Sequence, residues 1–428
     1  MLGHVLLFFV ISLLLSVPIG ISMGIGAIMP TIFNPAFSAK IEFIVRQMVG
    51  GVDSTPIIAV PLFVLSGIIM ARGGVSDKLF NVFSYFIGDK TGGLPCAVVI
   101  TCLFYGAISG SGPATTAAIG AMSIPLLVRL GYEKVFVTAL VAVAGGLGVI
   151  IPPSIPFILY GLSSGASVGA LFIAGIVPGI LIGVCLMTYA YYYCRKYGED
   201  KEKLNEYCSE LRANGFRHIF MNSFWALLTP VIILGGIYGG ITTPTEAACI
   251  SVFYALFVCC FVYKTLTLSG VKEVFREAVR TYAPILFILA GAMAFGRVMT
   301  ILQAPQAIAG GITSLVTSKI GVLLVVNIFL LIVGMLIDTS PAILILTPIL
   351  GPLMASIGVD PVHFGIIMVV NLAIGFITPP MGINLFVASS LTGIPVMQIA
   401  QKAVPFIFAF MVALILITFI PSISLCLL

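Results

Sequence analysis

A pair of Gly/Pro motifs occurs twice in this chain, about half its length apart, and each copy interrupts an apolar segment. Residues 106–113 read GAISGSGP and residues 334–341 read GMLIDTSP, an offset of 228 residues. A second interruption, GVIIPPS at 148–154, recurs as GFITPPM at 375–381, an offset of 227. A duplication with one deletion explains both offsets. Paired interruptions at corresponding positions of two halves indicate a transporter binding site.

Composition places the chain in a membrane. Hydrophobic residues make up 60% and charged residues 8%, and the mean hydropathy is +1.21, outside the range of soluble globular domains. Apolar stretches approaching or exceeding the roughly 20 residues that span a bilayer recur throughout. The first, 2–28, lacks a basic start and a cleavage site, so it is predicted to be a retained span rather than a signal peptide.

The placement of the basic residues predicts the topology, whereas the net charge of +5 gives no reason to expect a nucleic-acid partner. Two basic segments, 195–217 and 264–280, are separated by two apolar segments, 220–241 and 247–263. Both basic segments therefore lie on one side of the membrane, the cytoplasmic side by the positive-inside rule. Extending this assignment predicts nine crossings and two re-entrant hairpins.

The chain is predicted to contain two repeats of opposite orientation, 1–218 and 242–428, joined by a linking span at 219–241. Each repeat should hold one re-entrant hairpin and one broken helix. The expected hairpins are at about 94–130 and 320–357, and the expected broken helices at about 135–163 and 361–391. Inverted repeats place a substrate site near the bilayer midplane. The predicted fold class is an all-α polytopic carrier with alternating access.

Polar residues at helix starts support these boundaries. Thr243 and Glu246 are spaced as a capping box, with a proline between them at the first helical position. The alternative is that Glu246 binds an ion. Asp360 and Thr55, each followed by proline, are also predicted to cap helices.

Two segments with helically spaced charges, 36–52 and 265–280, precede membrane spans. We predict that both are helices in the headgroup plane, although plain connecting loops would have a similar composition.

The hairpin tips are small, polar and helix-breaking. Irregular backbone at membrane depth is tolerated only when it is buried in protein or lines a wet cavity. The free carbonyls and hydroxyls of such a tip suit a hard monovalent cation, and helices that begin at Pro113 and Pro341 direct partial positive charge at an anion. The alternative is a pair of proline kinks with Ser/Thr packing between helices.

Two charged residues lie near these elements. Asp338 is in the second tip, where the first copy has Gly110, and Arg297 is in the preceding span, where the first copy has Ile69. Charges at membrane depth are functional candidates, and the arginine fork suits a carboxylate. Arg297 could instead extend to the outer interface, and Asp338 could instead cap its half-helix.

Other mechanisms lack their motifs. No GxxxxGK[ST] sequence occurs, so ATP is not the expected energy source. No paired acids, His/Cys cluster or Ser–Lys pair has a spacing that suggests an intramembrane enzyme. We expect a protein that is not an enzyme and needs no cofactor.

The chain resembles the large membrane subunit of tripartite ATP-independent periplasmic (TRAP) transporters, the DctM-like family, over essentially its full length. The resemblance rests on GAISGSGPATTAAIGAM, IIPPSIPFILYG, TPTEAA, GMLIDTSPAILILTPIL and DPVHFGIIMVVNLAIGFITPPMGINLF. It implies a sodium-driven elevator mechanism with two sodium sites, each formed by a tip and the facing broken helix.

The resemblance also implies particular residues. The first sodium site would involve Gly106, Ser109, Gly148 and Ile151, and the second Gly334, Thr339, Gly375, Thr378 and Met381. The substrate would lie between the tips, near Arg297, Asp338, Ser111, Ser154 and Asn384.

The family implies two protein partners: a small DctQ-like membrane subunit and a DctP-like periplasmic solute-binding protein that delivers an acidic solute. Because the chain begins in its first apolar segment, we expect the small subunit to be a separate chain. The expected location is the cytoplasmic (inner) membrane of a bacterium or archaeon. The expected function is sodium-coupled uptake of a carboxylate or acidic sugar. A standalone sodium/anion symporter or exchanger of a related elevator fold is the alternative.

Overall fold

The chain folds into α-helices separated by short breaks. The computed structural model describes residues 1–34, 37–213, 215–315 and 318–428. In chain order the α-helices are α1 Leu2–Leu14, α2 Ile19–Phe33, α3 Ile41–Val52, α4 Ala59–Arg72, α5 Val75–Ile87, α6 Gly93–Ser109, α7 Gly112–Arg129, α8 Lys134–Gly145, α9 Ile155–Ser164, α10 Val168–Tyr197, α11 Lys201–Ala213, α12 Phe216–Tyr238, α13 Pro244–Phe257, α14 Leu268–Ile301, α15 Ala304–Leu315, α16 Lys319–Leu336, α17 Thr339–Ser356, α18 Pro361–Gly375, α19 Ile383–Thr392, α20 Val396–Phe419 and α21 Ser422–Leu425. Short 3₁₀ turns precede α4 (Thr55–Ile58) and follow α8 (Gly146–Val149), and a π-helical turn (Val258–Val262) ends α13.

The two halves carry similar helices in the same order. α6 and α7 are separated by residues 110–111 and pack against each other, as do α16 and α17, which are separated by residues 337–338. Each pair precedes two short helices, α8 with α9 and α18 with α19, and then a long helix, α10 or α20. The helices therefore end and restart where the duplicated Gly/Pro motifs lie.

The broken helices form the centre of the protein. α8 is buried from Phe136 to Gly145, and α18 is buried from His363 to Gly375. The halves interleave here, because α20 packs on α8 and α10 packs on α18. Surrounding helices thus shield the irregular backbone, which has no hydrogen-bonded ladder of its own.

Side-chain caps fix several helix starts. The Thr243 hydroxyl accepts a hydrogen bond from Glu246 N at 3.3 Å, and the Glu246 carboxylate accepts one from Thr243 N at 2.8 Å, which confirms the predicted capping box. The Asp360 carboxylate accepts bonds from two free N–H groups of α18 at 2.8 and 3.1 Å, so this predicted cap is also confirmed. The cap predicted at Thr55 is wrong, because Thr55 lies inside a 3₁₀ turn.

The prediction of one continuous span at 2–28 is wrong. The chain forms α1 and α2, which pack against each other, and between them Ser16 adopts a φ of 60° and Pro18 is the N-cap residue of α2. Proline cannot donate to the preceding turn, and the positive φ is incompatible with a continuing right-handed helix. Each helix is only about 20 Å long, shorter than the roughly 30 Å hydrocarbon core.

The two predicted headgroup helices differ in outcome. Residues 268–280 are the first part of the 34-residue α14, so the prediction of a separate helix over 265–280 is wrong. In 36–52, residue 36 lies outside the described residues. The separate α3 occupies Ile41–Val52 with Ile44 buried, and its position relative to the bilayer stays a prediction.

Eight helices within the described residues are long and apolar enough to cross a membrane. They include α17, which the topology prediction assigns to a hairpin, and exclude α1 and α2. Helix length does not distinguish a crossing from a hairpin arm, so the nine crossings and two re-entrant hairpins stay a prediction.

Candidate functional site

Four irregular segments converge between the two halves. We call residues 109–112 the first tip, 146–154 the first break, 337–340 the second tip and 376–382 the second break. Each tip lies against the break of its own half, through the contacts described below.

The first tip meets the first break through glycines. A Cβ on Gly106 would lie 2.9 Å from the Cα of Gly148, so this approach requires glycine. The Gly110 carbonyl, at a φ of 60°, accepts a hydrogen bond from Ile155 N at 3.4 Å. Ile151 is buried within the first break. Backbone groups of tip and break thus lie close together in the protein interior.

Hydroxyl groups line this junction. The Ser109 Oγ lies 2.8 Å from the Thr115 Oγ1, which donates a hydrogen bond to the Ser111 carbonyl at 2.8 Å. Gly148 faces the same group, since a Cβ there would lie 2.7 Å from the Ser111 carbonyl oxygen. The first tip therefore concentrates hydroxyl and carbonyl oxygens, the ligands that hard cations prefer.

The second tip repeats this contact with different chemistry. The backbones of Gly334 and Gly375 are in contact, and a Cβ on Gly375 would overlap the backbone of Gly334. Met381 N donates a hydrogen bond to the Met335 carbonyl at 3.0 Å, which ties the second break to α16. Thr339 is buried, and its Oγ1 has no hydrogen-bond partner among the described residues. An orphaned buried oxygen of this kind fits a bound cation.

Two other residues predicted to bind sodium, Thr378 and Met381, have different surroundings. Thr378 uses its hydroxyl locally, because its Oγ1 donates to the Ile374 carbonyl at 2.8 Å. Met381 is 43% exposed at the end of the second break. Either residue can contribute to a site through its backbone carbonyl.

A cavity of about 800 Å³ is bounded by both tips. Ser111 from the first tip and Asp338 from the second line it together, and Phe376 of the second break closes one side. Asp338 also caps α17, since its carboxylate accepts a hydrogen bond from Ser340 N at 3.4 Å. Two of the five predicted substrate residues thus share one cavity.

Ser154 and Asn384 are fully buried and are absent from the lining of this cavity. The Ser154 Oγ accepts from Phe157 N at 3.3 Å and donates to the Val149 carbonyl at 2.5 Å, so it caps α9. The Asn384 Nδ2 donates to the Ala142 carbonyl at 3.0 Å, which joins the start of α19 to α8. Both side chains therefore hydrogen-bond to backbone groups near the breaks, outside the cavity.

Arg297 does not come near the tips. It is exposed one turn before the end of α14 and does not line the cavity. The cavity-lining residue of α14 nearest to it in sequence is Ile285, about 18 Å away along the helix. The structure therefore does not bring Arg297 together with Asp338 and Ser111.

Sequence reasoning missed Thr115 and Arg72. Thr115 follows Ser111 by four residues and so shares its helix face, a signal that the spacing of GSGPATT contained. Arg72, at the end of α4, lines the same cavity as the tips. It carries no local signal, because its place in the cavity depends on how α4 packs.

The family model described as "Tripartite ATP-independent periplasmic transporter, DctM component" matches residues 5–423. The isethionate TRAP transporter permease protein DctMQ of Oleidesulfovibrio alaskensis is 45% identical over 97% of this chain, which spans 64% of the length of that relative. The C4-dicarboxylate large permease DctM of Pseudomonas aeruginosa is 42% identical over 95% of this chain and 93% of its own. The sialic acid large permease SiaM of Vibrio cholerae is 36% identical over 95% and 94%. These relatives are transport permeases, not enzymes.

Two solved transporters share the fold. The chain superposes on the MtrF structure of Neisseria gonorrhoeae with a TM-score of 0.65 at 12% identity, covering 94% of this chain and 93% of that one. For the YdaH transporter of Alcanivorax borkumensis the TM-score is 0.60 at 15% identity, with 90% and 89% covered. The permease relatives, together with the eight apolar helices of the described residues, indicate a multi-pass membrane protein. The chain belongs to the DctM component family of the tripartite ATP-independent periplasmic transporters.

Proposed function

We propose that this protein is the large permease of a tripartite carrier that imports a small organic acid across the cytoplasmic membrane of a bacterium or archaeon. The observation that carries the proposal is the cavity bounded by both tips. Relatives named for C4-dicarboxylates, sialic acid and isethionate all take acids, which supports this substrate class. A small membrane subunit and a periplasmic solute-binding protein complete the carrier.

Sodium ions drive the uptake in this proposal. The first site comprises Gly106, Ser109, Gly148 and Ile151, together with the hydroxyl of Thr115. The second comprises Gly334, Thr339, Gly375, Thr378 and Met381. The two glycine contacts and the unpartnered Thr339 hydroxyl support this assignment, because they gather oxygens at buried positions.

The solute lies between the tips, where the two sides differ chemically. The N-terminal turn of α7 lines the cavity without a side-chain cap from Ser111, so its partial positive charge suits a carboxylate. At α17 the carboxylate of Asp338 already occupies that position. Asp338 therefore faces a hydroxyl or amide of the solute, or a cation. Ser154 and Asn384 hold the breaks in shape.

The structure corresponds to an inward-facing state in this mechanism. The cavity reaches exposed residues at the end of α4 and the start of α14, on the side that the charge pattern assigns to the cytoplasm. The tips and broken helices move as one unit against α4 and α14, which is an elevator. Arg297, at the opposite end of α14, is available to the solute only in the outward-facing state.

The test is solute uptake by the complete carrier, with the small subunit, in proteoliposomes. Uptake of succinate, isethionate and sialic acid, each with its binding protein, is measured under an imposed sodium gradient and under a proton gradient alone. We expect one acid to accumulate only with the sodium gradient. Accumulation driven by protons alone would overturn the sodium assignment.

Omitting the binding protein distinguishes the two classes of carrier. The proposed tripartite carrier should lose nearly all uptake. A standalone sodium/anion symporter or exchanger would transport at the same rate without it.

A further inference from the structure

An arginine fork stands at the inner mouth of the cavity. The Arg72 Nη1 lies 3.0 Å from the Glu273 Oε2, and its Nη2 lies 2.6 Å from the Glu277 Oε2. Arg72 is the last residue of α4, and the two glutamates are one turn apart in α14. One cation is thus shared between two carboxylates.

This ion pair separates two spaces. Arg72 and Glu277 line the cavity that holds the tips, and they also line an adjoining depression of about 330 Å³. Glu273, Arg276 and Arg280 line only the depression. Arg72 and Glu277 therefore lie where the two spaces meet, between the tips and the exposed start of α14.

Arg72 is the one lysine or arginine among the described residues that line the main cavity, where Asp77, Glu277 and Asp338 are all acidic. An anion crossing this acidic mouth has Arg72 as its cationic contact. The guanidinium presents paired donors to a carboxylate or sulfonate. The Arg72 side chain is 41% exposed, so its bonds to the glutamates are exchangeable.

The position of Arg72 is fixed by its surroundings. Gly73 caps the C-terminus of α4, and its carbonyl accepts a hydrogen bond from the Thr265 Oγ1 at 3.1 Å. Cys259 packs against the same glycine. A cation at a helix C-terminus is also stabilised by the helix dipole. These contacts hold the C-terminus of α4, and with it the Arg72 guanidinium, at the inner mouth of the cavity.

We propose that Arg72 is a specificity-determining residue at the inner mouth, where its guanidinium binds the anionic group of the departing solute in exchange for Glu277. Glu277 then returns to Arg72 and displaces the solute toward the cytoplasm. This inference rests on the proposed function, because it requires an acidic solute. It adds an anion contact at the end of α4, distinct from the ligands of the tips themselves.

The test measures exchange from the inner side. Proteoliposomes are loaded with increasing internal succinate, isethionate or sialic acid, and the half-saturating internal concentration for exchange with labelled external solute is determined. Arg72→Gln should raise this concentration about tenfold and leave the external half-saturating concentration within about twofold. Glu277→Gln should lower it, because the competitor of the solute is weakened. Arg72→Lys should fall between Arg72→Gln and the wild type, since the charge remains and the fork is lost.

Arg276→Gln is the matched control, because it removes the same charge from the same surface without touching the main cavity. It should leave the internal half-saturating concentration within about twofold of the wild type. An unchanged value in Arg72→Gln, or an equal effect of Arg276→Gln, would overturn the role of Arg72 alone. If the wild type transports none of the three acids, the acid-import proposal fails and this inference fails with it.

Discussion

At the scale of single residues, pairs of glycines decide how closely tip and break approach. Gly334 and Gly375 lie in direct backbone contact, and Gly106 and Gly148 make the equivalent contact in the other half. Side chains at these four positions would separate the backbone oxygens that the proposed sodium sites require. In the proposed sodium sites, the same residues would serve both packing and ion binding.

Gly375→Ala should destabilise the protein and abolish uptake. The added methyl group overlaps the Gly334 backbone, and overpacking of this kind costs about 1–3 kcal/mol. Gly351→Ala on α17 is the control, since a Cβ there has no atom within 4 Å. Thermal unfolding in detergent measures the difference. Equal unfolding temperatures for the two variants would contradict the close packing described here.

The hydroxyl of Thr115 should matter for sodium rather than for folding. Thr115→Val keeps the shape but removes the group that contacts the Ser109 Oγ and the Ser111 carbonyl. We expect the sodium concentration for half-maximal uptake to rise at least about tenfold, and Thr115→Ser to restore most of the wild-type value. Thr188→Val is the control, because Thr188 also donates to the carbonyl four residues earlier but is exposed on α10. A sodium dependence unchanged by Thr115→Val would remove Thr115 from the site.

At the scale of elements, the segment that follows α10 joins the two ends of the α6–α7 pair that lie away from the first tip. The Glu199 carboxylate, 1% exposed, accepts bonds from Gly92 N at 3.0 Å and from the Tyr132 hydroxyl at 2.5 Å. Gly92 precedes α6 and Tyr132 follows α7. One buried carboxylate thus joins both outer ends of the pair, which keeps the first tip in register with its break.

The docking of α11 should depend on pH. The Arg212 Nη1 donates to the Asp89 Oδ2 at 3.0 Å, and this hydrogen bond lowers the pKa of Asp89 below its ordinary value of 3.8. The ion pair therefore stabilises docking at pH values above 3.8 and is lost as the pH falls through the lower folded pKa. Hydrogen exchange of α11 should accelerate over that acidic range in the wild type, after correction for the intrinsic rate. Asp89→Asn should exchange faster at neutral pH and lack this acidic step; a step of equal size in the variant would refute the assignment.

At the scale of the whole molecule, the central cavity should be accessible from one side only. Ala121 is exposed and lines the cavity on α7. In a background without the nine native cysteines, Ala121→Cys should react with a membrane-impermeant maleimide in inside-out vesicles and not in right-side-out vesicles. Ile320→Cys, beside Lys319 on the side predicted to be external, should show the reverse. Labelling of Ala121→Cys from outside would contradict the orientation and the inward-facing state.

Two arginines lie near the C-terminal ends of corresponding helices in the two halves. α4 ends in Arg72 beside the cavity, and α14, its counterpart in the second half, carries Arg297 one turn before its own end. If the repeats are inverted, these two cations lie at opposite mouths of one pathway. Of these two arginines, Arg72 lines the cavity and Arg297 does not, which agrees with the proposed inward-facing state.

Short-range patterns determined much of this protein. The apolar composition predicted a multi-pass helical protein, and the duplicated Gly/Pro motifs predicted where helices end, because proline and glycine act on their own turn of the chain. The caps at Thr243 and Asp360 were predictable because a capping side chain also acts within its own turn of the chain. The family followed from long ordered motifs and was confirmed by the comparisons.

Only the tertiary structure decided which residues share the cavity. Arg72 and Arg297 look alike in sequence, as charges near the ends of apolar helices. Arg72 lines the cavity, whereas Arg297 lies about 18 Å along α14 from Ile285, the nearest residue of that helix that lines the cavity. The continuity of α14 through Pro284 likewise depends on packing partners distant in the chain, since α14 packs against α2, α3 and α4. Sequence specifies where a helix can break, whereas the rotation and offset of packed helices specify what its side chains face.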